Sequence, residues 1–250
     1  FESDPAITSW MEGQWPETTM SEGNQLVELV LDLVGGKLTH LVVVQAGENI
    51  SCLPAGEVPR DSLLLPGSFN PVHEGHEEIG RQAAKLLGRS FDSVFLELCV
   101  VNADKGAVDV ATLCSRITKA ALRGNRVLAT RAMLFQDKAD LFPGCDFVVG
   151  YDTYRRILNP KYYAPAGAKA DSSPEEQCGW VAEALQRLQS KNVRFIVAGR
   201  VDADIFRTLE ADPVMDLPQE LSDMFLSLPD FRNDISSTAI RLREADTTRE

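Results

Sequence analysis

The sequence lacks the features that mark membrane proteins and broad nucleic-acid-binding proteins. No apolar run comes near the roughly 20 residues that a membrane helix needs, so we expect no membrane insertion. Basic residues are in deficit, because 25 Lys and Arg stand against 37 Asp and Glu, for a net charge of −12. This balance argues against a nucleic-acid surface, which needs clustered Lys and Arg. It leaves room for a phosphate site, because a few cations and helix N-termini are enough to hold one.

Cysteine is also scarce, and the five cysteines show no metal-binding or disulfide pattern. There is no C-x-x-C and no His at the spacing of a zinc ligand. We interpret Cys99, Cys114 and Cys145, which lie in apolar surroundings, as buried free thiols. Free thiols indicate a reducing compartment, and cytoplasm, mitochondrial matrix and plastid stroma fit equally. The chain begins at Phe1 without a signal-peptide pattern, which we interpret as a processed or partial chain, so a targeting segment is not excluded.

Short apolar strands alternate with helices from about residue 62 onward. We predict strands at 63–65, 94–101, 127–129, 147–149 and 193–198, and helices at 74–87, 108–122, 174–190 and 236–245, with a helical stretch that ends near Asp140. This alternation is typical of a parallel sheet that is covered by helices on both faces. We therefore predict an α/β domain with a doubly wound sheet over residues 61–250.

The first 60 residues have a different pattern. Residues 1–24 are rich in Glu, Pro, Ser, Thr and Gly and contain Trp10 and Trp15, which predicts an extended arm. A helix at 25–34 and a short strand at 41–44 follow, and two Gly and two Pro predict a linker over 46–61. We assign residues 1–60 to an N-terminal arm and linker. Whether this region packs on the α/β domain or on a partner stays open.

The strongest functional signal is the segment from Gly67 to His76, which reads G-S-F-N-P-V-H-E-G-H. It connects the first strand of the α/β domain to a helix, where doubly wound sheets bind ligands. Gly67 and Gly75 would let the backbone approach a phosphate, and the helix start adds free N–H groups and partial positive charge. Two of the three histidines in the chain, His73 and His76, can face the same anion. We predict a phosphate-handling loop, and a metal site or plain surface histidines are the alternatives.

This segment resembles the H-x-G-H signature of the cytidylyltransferase-like nucleotidyltransferase superfamily. Its form, G-S-F-N-P-x-H-x-G-H, is most similar to nicotinamide or nicotinate mononucleotide adenylyltransferases. The resemblance implies a Rossmann-like fold, ATP as a substrate, Mg²⁺ that rides on the triphosphate without a protein cage, and catalytic roles for His73 and His76. The resemblance also implies nucleotide contacts from Gly67, Ser68, Phe69, Asn70 and Gly75.

A second motif, I-S-S-T-A-I-R, covers residues 235–241 at the start of the predicted last helix. Hydroxyls at such a position by themselves would be helix caps. The same family has an I-S-S-T-x-x-R motif near its C terminus, and this chain matches each defined position. The resemblance implies that Ser236, Ser237 and Thr238 bind the triphosphate tail. It also implies that Arg241, one turn further along, reaches the same anion.

Four further residues follow predicted strands and complete the predicted site. Lys105 resembles a family lysine that contacts phosphates, and a surface lysine is the alternative. Gly150 and Asp152 match a G-x-D pattern in which the family places the acid near a ribose hydroxyl; Asp152 could also cap the next helix. Arg200 is either a nucleotide contact or a surface ion-pair partner.

Two departures from the family pattern leave the acceptor base open. Many relatives have Ala where this chain has Tyr151, and a Trp further along, where this chain reads Asn159 to Tyr163. That region helps to form the base pocket in the family. Other stretches resemble a eukaryotic, plant and algal branch in which the transferase follows a deamidase-like module, and residues 25–60 weakly resemble the tail of that module.

The sequence therefore predicts transfer of AMP from ATP to the 5′-phosphate of a pyridine mononucleotide, with release of pyrophosphate. One alternative is the same chemistry on another phosphorylated acceptor, such as phosphopantetheine. The other is a non-catalytic scaffold that keeps the fold and docks onto a larger assembly through the N-terminal arm. Intact His73, His76 and Arg241 argue against a scaffold. A homo-oligomer is also compatible with the sequence.

Overall fold

The computed structural model describes residues 22–102, 106–107, 109–168, 172–202, 205–211, 215 and 217–229. Its helices and strands follow one another along the chain in this order: α1 (Glu22–Val34), β1 (His40–Ala46), β2 (Asn49–Pro54), β3 (Leu63–Pro66), α2 (Glu74–Leu86), β4 (Val94–Cys99), β5 (Val101–Asn102), β6 (Gly106–Ala107), α3 (Val110–Ala121), β7 (Arg126–Thr130), α4 (Phe135–Leu141), β8 (Asp146–Gly150), α5 (Tyr151–Ile157), α6 (Pro174–Ser190), β9 (Phe195–Ala198), β10 (Arg200–Asp202), β11 (Ile205–Arg207), α7 (Gln219–Ser222) and β12 (Phe225–Leu228). No helix in these ranges is long and apolar enough to cross a membrane.

Eight strands form the central sheet, in the order β12-β9-β8-β3-β4-β7-β1-β2. The six strands from β12 to β7 are parallel to their neighbours. If these six strands are numbered 1 to 6 along the chain, their order from β7 to β12 is 3-2-1-4-5-6, which is the order of a doubly wound sheet. The predicted fold class is therefore confirmed, and the strand order reverses direction between β3 and β8. Ligands bind beside such a reversal, at the carboxyl ends of the strands.

Alternating side chains of each central strand enter different cores, because successive residues of a strand point to opposite faces. Leu63 and Leu65 pack on one face with residues of α1, α2 and α3. Leu64 packs on the other face with residues of α4, α5 and α6. The strands are thus buried on both sides, which explains their continuous apolar sequences.

Residues 40–54, which lie before the predicted boundary at 61, are part of this sheet. Strand β1 pairs antiparallel with both β7 and β2, and α1 buries Leu26, Val30 and Leu33 against the same core. The prediction of a linker over 46–61 is therefore wrong for β2. The strand escaped detection because it is an edge strand with half-exposed side chains, and because the Gly47 turn before it resembles a linker. The division of the chain at residue 61, and the origin of residues 25–60, stay predictions.

Helix ends differ from the predicted bounds by a few residues, for local reasons. Helix α3 begins at Val110 rather than 108, because the carboxylate of Asp109 caps the N–H of Thr112 at 2.8 Å. The strand predicted over 94–101 ends at Cys99, and a separate short strand follows. The predicted arm over 1–24 ends at α1, which begins at Glu22, and its residues 1–21 lie outside the described residues, as does the predicted helix over 236–245.

Candidate functional site

The loop between β3 and α2 is shaped by a buried phenylalanine. Phe69 has a positive φ of 44° and is only 2% exposed. A Cβ atom on Gly67 would lie 2.7 Å from the Cζ atom of Phe69, so only glycine leaves room for this ring. The structure therefore explains why residue 67 is a glycine: a side chain there would collide with the Phe69 ring. The prediction had given a different reason, the approach of the backbone to a phosphate. The side chain of Phe69 belongs to a buried core cluster, and its predicted contact with nucleotide stays a prediction.

The two histidines of the loop lie against each other at the start of α2. Their ring centroids are 3.8 Å apart with an interplanar angle of 31°. The backbone N–H of His73 donates to Nδ1 of His76 at 3.3 Å, so a neutral His76 ring carries its proton on Nε2. The Phe69 ring meets the His76 ring edge-on at 5.0 Å. The spacing in the sequence correctly predicted that both imidazoles share one side of the helix start.

Burial keeps both imidazoles neutral at pH 7. Desolvation lowers the pKa of His76 to about 4, with a further lowering from His73 and an opposing effect of Glu77. The pKa of His73 is lowered by burial and then by the positive charge of Arg123. Among the described residues, the buried Nδ1 atom of His73 has no hydrogen-bond partner, a state that a bound ligand would relieve. The pair can therefore donate hydrogen bonds to an anion without carrying a charge.

An ion pair between a buried carboxylate and a half-exposed arginine, which the sequence analysis missed, anchors the helix start. Arg123 donates to both carboxylate oxygens of Glu77, at 2.7 and 2.9 Å, and Asn125 adds a bond of 3.1 Å. Hydrogen bonds from Arg123 and Asn125 hold the pKa of Glu77 below its usual range. Seven residues before Arg123, Arg116 donates to the carbonyl oxygen of Ser68 at 3.4 Å. Arg123 lies in the turn after α3 and Glu77 is 46 residues before it, so the sequence carried no local signal of this pair.

A cavity of about 360 Å³ opens beside the loop, at the carboxyl ends of β3 and β4. It shares Gly67 and Ser68 with the loop, while neither histidine lines it. The remaining wall comes from β4, the segment after it, α3, α4, α5 and the turn after α5, and consists of Pro66, Glu97, Leu98, Cys99, Val101, Arg116, Met133, Leu134, Phe135, Gln136, Lys138, Thr153, Arg156, Ile157, Tyr162 and Tyr163. Most of this wall is apolar or aromatic, as in small-molecule sites.

The residues that depart from the family pattern differ in their relation to this cavity. Tyr162 and Tyr163 line it, whereas Tyr151 is 2% exposed and packs against Tyr154 at 5.8 Å in the second core. The first residue of α5 thus faces the sheet rather than the cavity. Of the two departures from the family pattern, the segment from Asn159 to Tyr163 contributes to this cavity and Tyr151 does not.

A carboxylate and an ammonium group are buried in the cavity wall. Glu97 is 1% exposed and Lys138 is 4% exposed, and the Nζ atom of Lys138 lies 2.7 Å from Oε1 of Glu97. The hydroxyl of Thr130 donates to the same oxygen at 2.6 Å, and Lys138 also donates to the carbonyl oxygen of Ala132 at 2.7 Å. The sequence analysis missed this pair, because Lys138 reads as a surface residue of a short helix.

The remaining predicted residues fall into two groups. Gly150 caps α5 and Asp152 lies in its first turn, so Asp152 is not the N-cap residue, and Arg200 begins β10. Asn70 and Gly75 lie in the loop and in the first turn of α2. The others lie outside the described residues, namely Lys105, Ser236, Ser237, Thr238 and Arg241. In the described part of the chain no three His, Cys, Asp or Glu side chains form a group that could hold a metal ion.

Comparison with known proteins identifies the family. The model of the cytidylyltransferase-like family matches residues 64–243. Among solved structures, the chain is similar to Plasmodium falciparum nicotinic acid mononucleotide adenylyltransferase complexed with NaAD, at 14% identity and a TM-score of 0.36, over 74% of this chain and 83% of that one. A search of curated proteins returns no match. The structural likeness is distant, so the assignment rests on the family match. Because that match spans more than two thirds of the chain, the protein belongs to the cytidylyltransferase-like family and is a nucleotidyltransferase.

Proposed function

We propose that this nucleotidyltransferase moves AMP from ATP to the 5′-phosphate of a pyridine mononucleotide and releases pyrophosphate. The observation that carries the proposal is the pair of neutral imidazoles, 3.8 Å apart at the start of α2, next to an aromatic-lined cavity. The helix start and the imidazoles suit a phosphoryl group, and the cavity suits the base of an acceptor. Gly67 and Ser68 belong to both, so the two substrates would meet at this loop.

The reaction balances without a general base. An oxygen of the acceptor phosphate attacks the α-phosphorus of ATP, and the bond from that phosphorus to the oxygen that bridges to the β-phosphorus breaks. Pyrophosphate leaves with the electron pair of that bond. The attacking phosphate is already ionised, since its second pKa is about 6. Catalysis therefore consists of positioning and of stabilising the charge that develops on the transferred group.

The histidines supply donors for that charge. With Nδ1 of His76 occupied by the N–H of His73, the Nε2–H group of His76 is the one left to donate to a non-bridging oxygen of the α-phosphoryl group. Arg123 and Arg116 add fixed positive charge near the loop. Mg²⁺ would enter as part of the MgATP substrate. Lys105, Ser236, Ser237, Thr238 and Arg241 would bind the phosphates, as the family motifs imply.

The cavity favours a flat acceptor ring over a flexible chain. Phe135, Tyr162 and Tyr163 give it aromatic walls, and Leu98 and Ile157 add apolar surface. Aromatic side chains gain most from a planar ring that can stack or meet them edge-on. A volume of about 360 Å³ lies at the lower end of the range of small-molecule sites, which suits one base with part of its ribose.

The test is a panel of acceptors. The purified chain is incubated with ATP and Mg²⁺ and with nicotinamide mononucleotide, nicotinate mononucleotide or phosphopantetheine, and pyrophosphate is measured. We expect release with a pyridine mononucleotide. If pyrophosphate is released only with phosphopantetheine, the acceptor is not a pyridine mononucleotide. If it is released with none of the three, the scaffold alternative is favoured.

A further inference from the structure

The ion pair in the cavity wall is unusual, because a fully buried pair gains little stability over an apolar pair of similar size. Glu97 and Lys138 nevertheless line a cavity together with the apolar residues Leu98, Leu134 and Phe135. Because such a pair adds little stability, its polar atoms are candidates for binding a ligand group. Glu97 also lies at the base of the catalytic loop, because its carbonyl oxygen accepts a hydrogen bond of 3.0 Å from the N–H of Gly67.

The pair has one acceptor and one donor left over. Both hydrogen bonds to the Glu97 carboxylate, from Lys138 and Thr130, go to Oε1, and within the described residues none goes to Oε2. The ammonium group of Lys138 has three hydrogens. In the described part of the chain it uses two of them, for Glu97 and for the carbonyl of Ala132. Side by side in one wall are therefore a carboxylate oxygen that can accept and an N–H group that can donate.

We propose that Glu97 and Lys138 recognise a primary carboxamide on the acceptor base and make the enzyme prefer the amide-bearing pyridine mononucleotide over the corresponding acid. This proposal rests on the proposed function. The amide N–H group donates to Oε2 of Glu97, and the amide oxygen accepts from Lys138. A carboxylate in the same place can use Lys138 but faces the negative charge of Glu97 without a proton to donate. Rejection by an unpaired buried polar group is a strong source of specificity.

The other cations of the cavity do not oppose this preference. Arg116 lies against the loop, where it donates to the carbonyl oxygen of Ser68. Arg156 is exposed on α5, where water screens its charge. Both suit the phosphate of the acceptor better than its base, which leaves the base to the buried pair of Glu97 and Lys138.

The test compares the kcat/KM values for nicotinamide mononucleotide and nicotinate mononucleotide at saturating MgATP. The wild type is expected to prefer the amide by at least about tenfold, the effect of one hydrogen bond to a charged group. Glu97→Gln keeps an oxygen for Thr130 and Lys138 but presents an NH₂ group where Oε2 was and removes the negative charge. The ratio should then fall by about 10- to 100-fold, to parity or to a preference for the acid. Glu78→Gln, the same change on the half-buried outer side of α2, should leave the ratio unchanged.

A double variant guards against misfolding of Glu97→Gln. Replacing the pair by Leu and Met, as E97L/K138M, removes both charges together and is expected to fold. This variant should use both acceptors poorly, with a ratio near one. Equal use of both acceptors by the wild type, a preference for the acid, or an unchanged ratio in Glu97→Gln would overturn the inference. If the wild type releases pyrophosphate with neither acceptor, it is the proposed function that fails.

Discussion

Two carboxylates are almost completely buried in the sheet, one near each end of the parallel strands. Glu97 near the carboxyl end of β4 and Asp146 at the amino end of β8 are each 1% exposed. Both oxygens of Asp146 are taken: Arg194 donates to Oδ1 at 3.1 Å and to Oδ2 at 2.9 Å, and Arg89 lies 2.9 Å from Oδ2. In the described residues Glu97 receives hydrogen bonds at one oxygen only.

The number of carboxylate oxygens that already have partners distinguishes a structural ion pair from a recognition site better than the presence of a cavity does. A cavity of about 460 Å³ also lies beside Asp146, but there the carboxylate is paired with Arg89 and Arg194. The cavity beside Glu97 has apolar walls and lies at the carboxyl edge, where this fold binds ligands. Changes at the carboxyl edge should therefore affect turnover and specificity, and changes at the amino edge should affect stability.

The largest expected effect is on turnover, at the carboxyl edge. His76→Asn keeps an oxygen that can accept from the N–H of His73 but loses the Nε2–H donor. Loss of one such donor lowers kcat by about 100- to 1,000-fold. The melting temperature should change by no more than a few degrees, since the acceptor for the backbone is kept. Pyrophosphate release and thermal unfolding measure the two effects, and turnover within threefold of wild type would contradict the role of His76.

The next effect is on stability, at the amino edge. Asp146→Asn leaves the guanidinium groups of Arg89 and Arg194 without a counter-charge, and we expect a loss of about 2 to 3 kcal/mol, reduced because Arg194 is half exposed. The kcat/KM value of the folded protein should not change. Urea unfolding measures the loss. Asp140→Asn is the matched control, because its exposed pair with Lys191 contributes less than about 1 kcal/mol. A change in acceptor specificity in Asp146→Asn would break the comparison between the two edges.

The third effect is a dependence of stability on pH. The pKa of His76 is about 4 in the folded chain and about 6.5 when unfolded, so between these values the unfolded state binds more protons. The contribution of His76 is therefore complete above pH 6.5 and is lost as the pH drops toward 4, by roughly 3 kcal/mol. His76→Asn should weaken this dependence in urea unfolding at pH 7.5 and 4.5. If wild type and His76→Asn lose the same unfolding free energy between pH 7.5 and 4.5, His76 is not the group whose protonation causes the loss.

Local signals in the sequence predicted the loop and most of the sheet. The glycines, the histidine spacing and the helix start of the loop lie within ten residues, and five of the six parallel strands were predicted from short runs of mainly apolar residues. The sixth, β12, was not predicted. The pairing of Glu97 with Lys138 depends instead on which strands are neighbours, since 41 residues separate them. The burial of Tyr151 could not be predicted for a similar reason, because the rotation of α5 on the sheet decides which residue faces the cavity. Strand β2 was missed because an edge strand buries too little surface to leave an apolar pattern.

The most direct test of the central claim follows the α-phosphorus of ATP. ATP that is labelled at this atom is incubated with Mg²⁺, nicotinamide mononucleotide and either the wild-type chain or His76→Asn. We predict that the wild type moves the label into a dinucleotide, with one unlabelled pyrophosphate released per transfer, and that His76→Asn does so at least about 100-fold more slowly. Label that stays in ATP, or that appears only as free AMP, would contradict transfer to a mononucleotide at this loop.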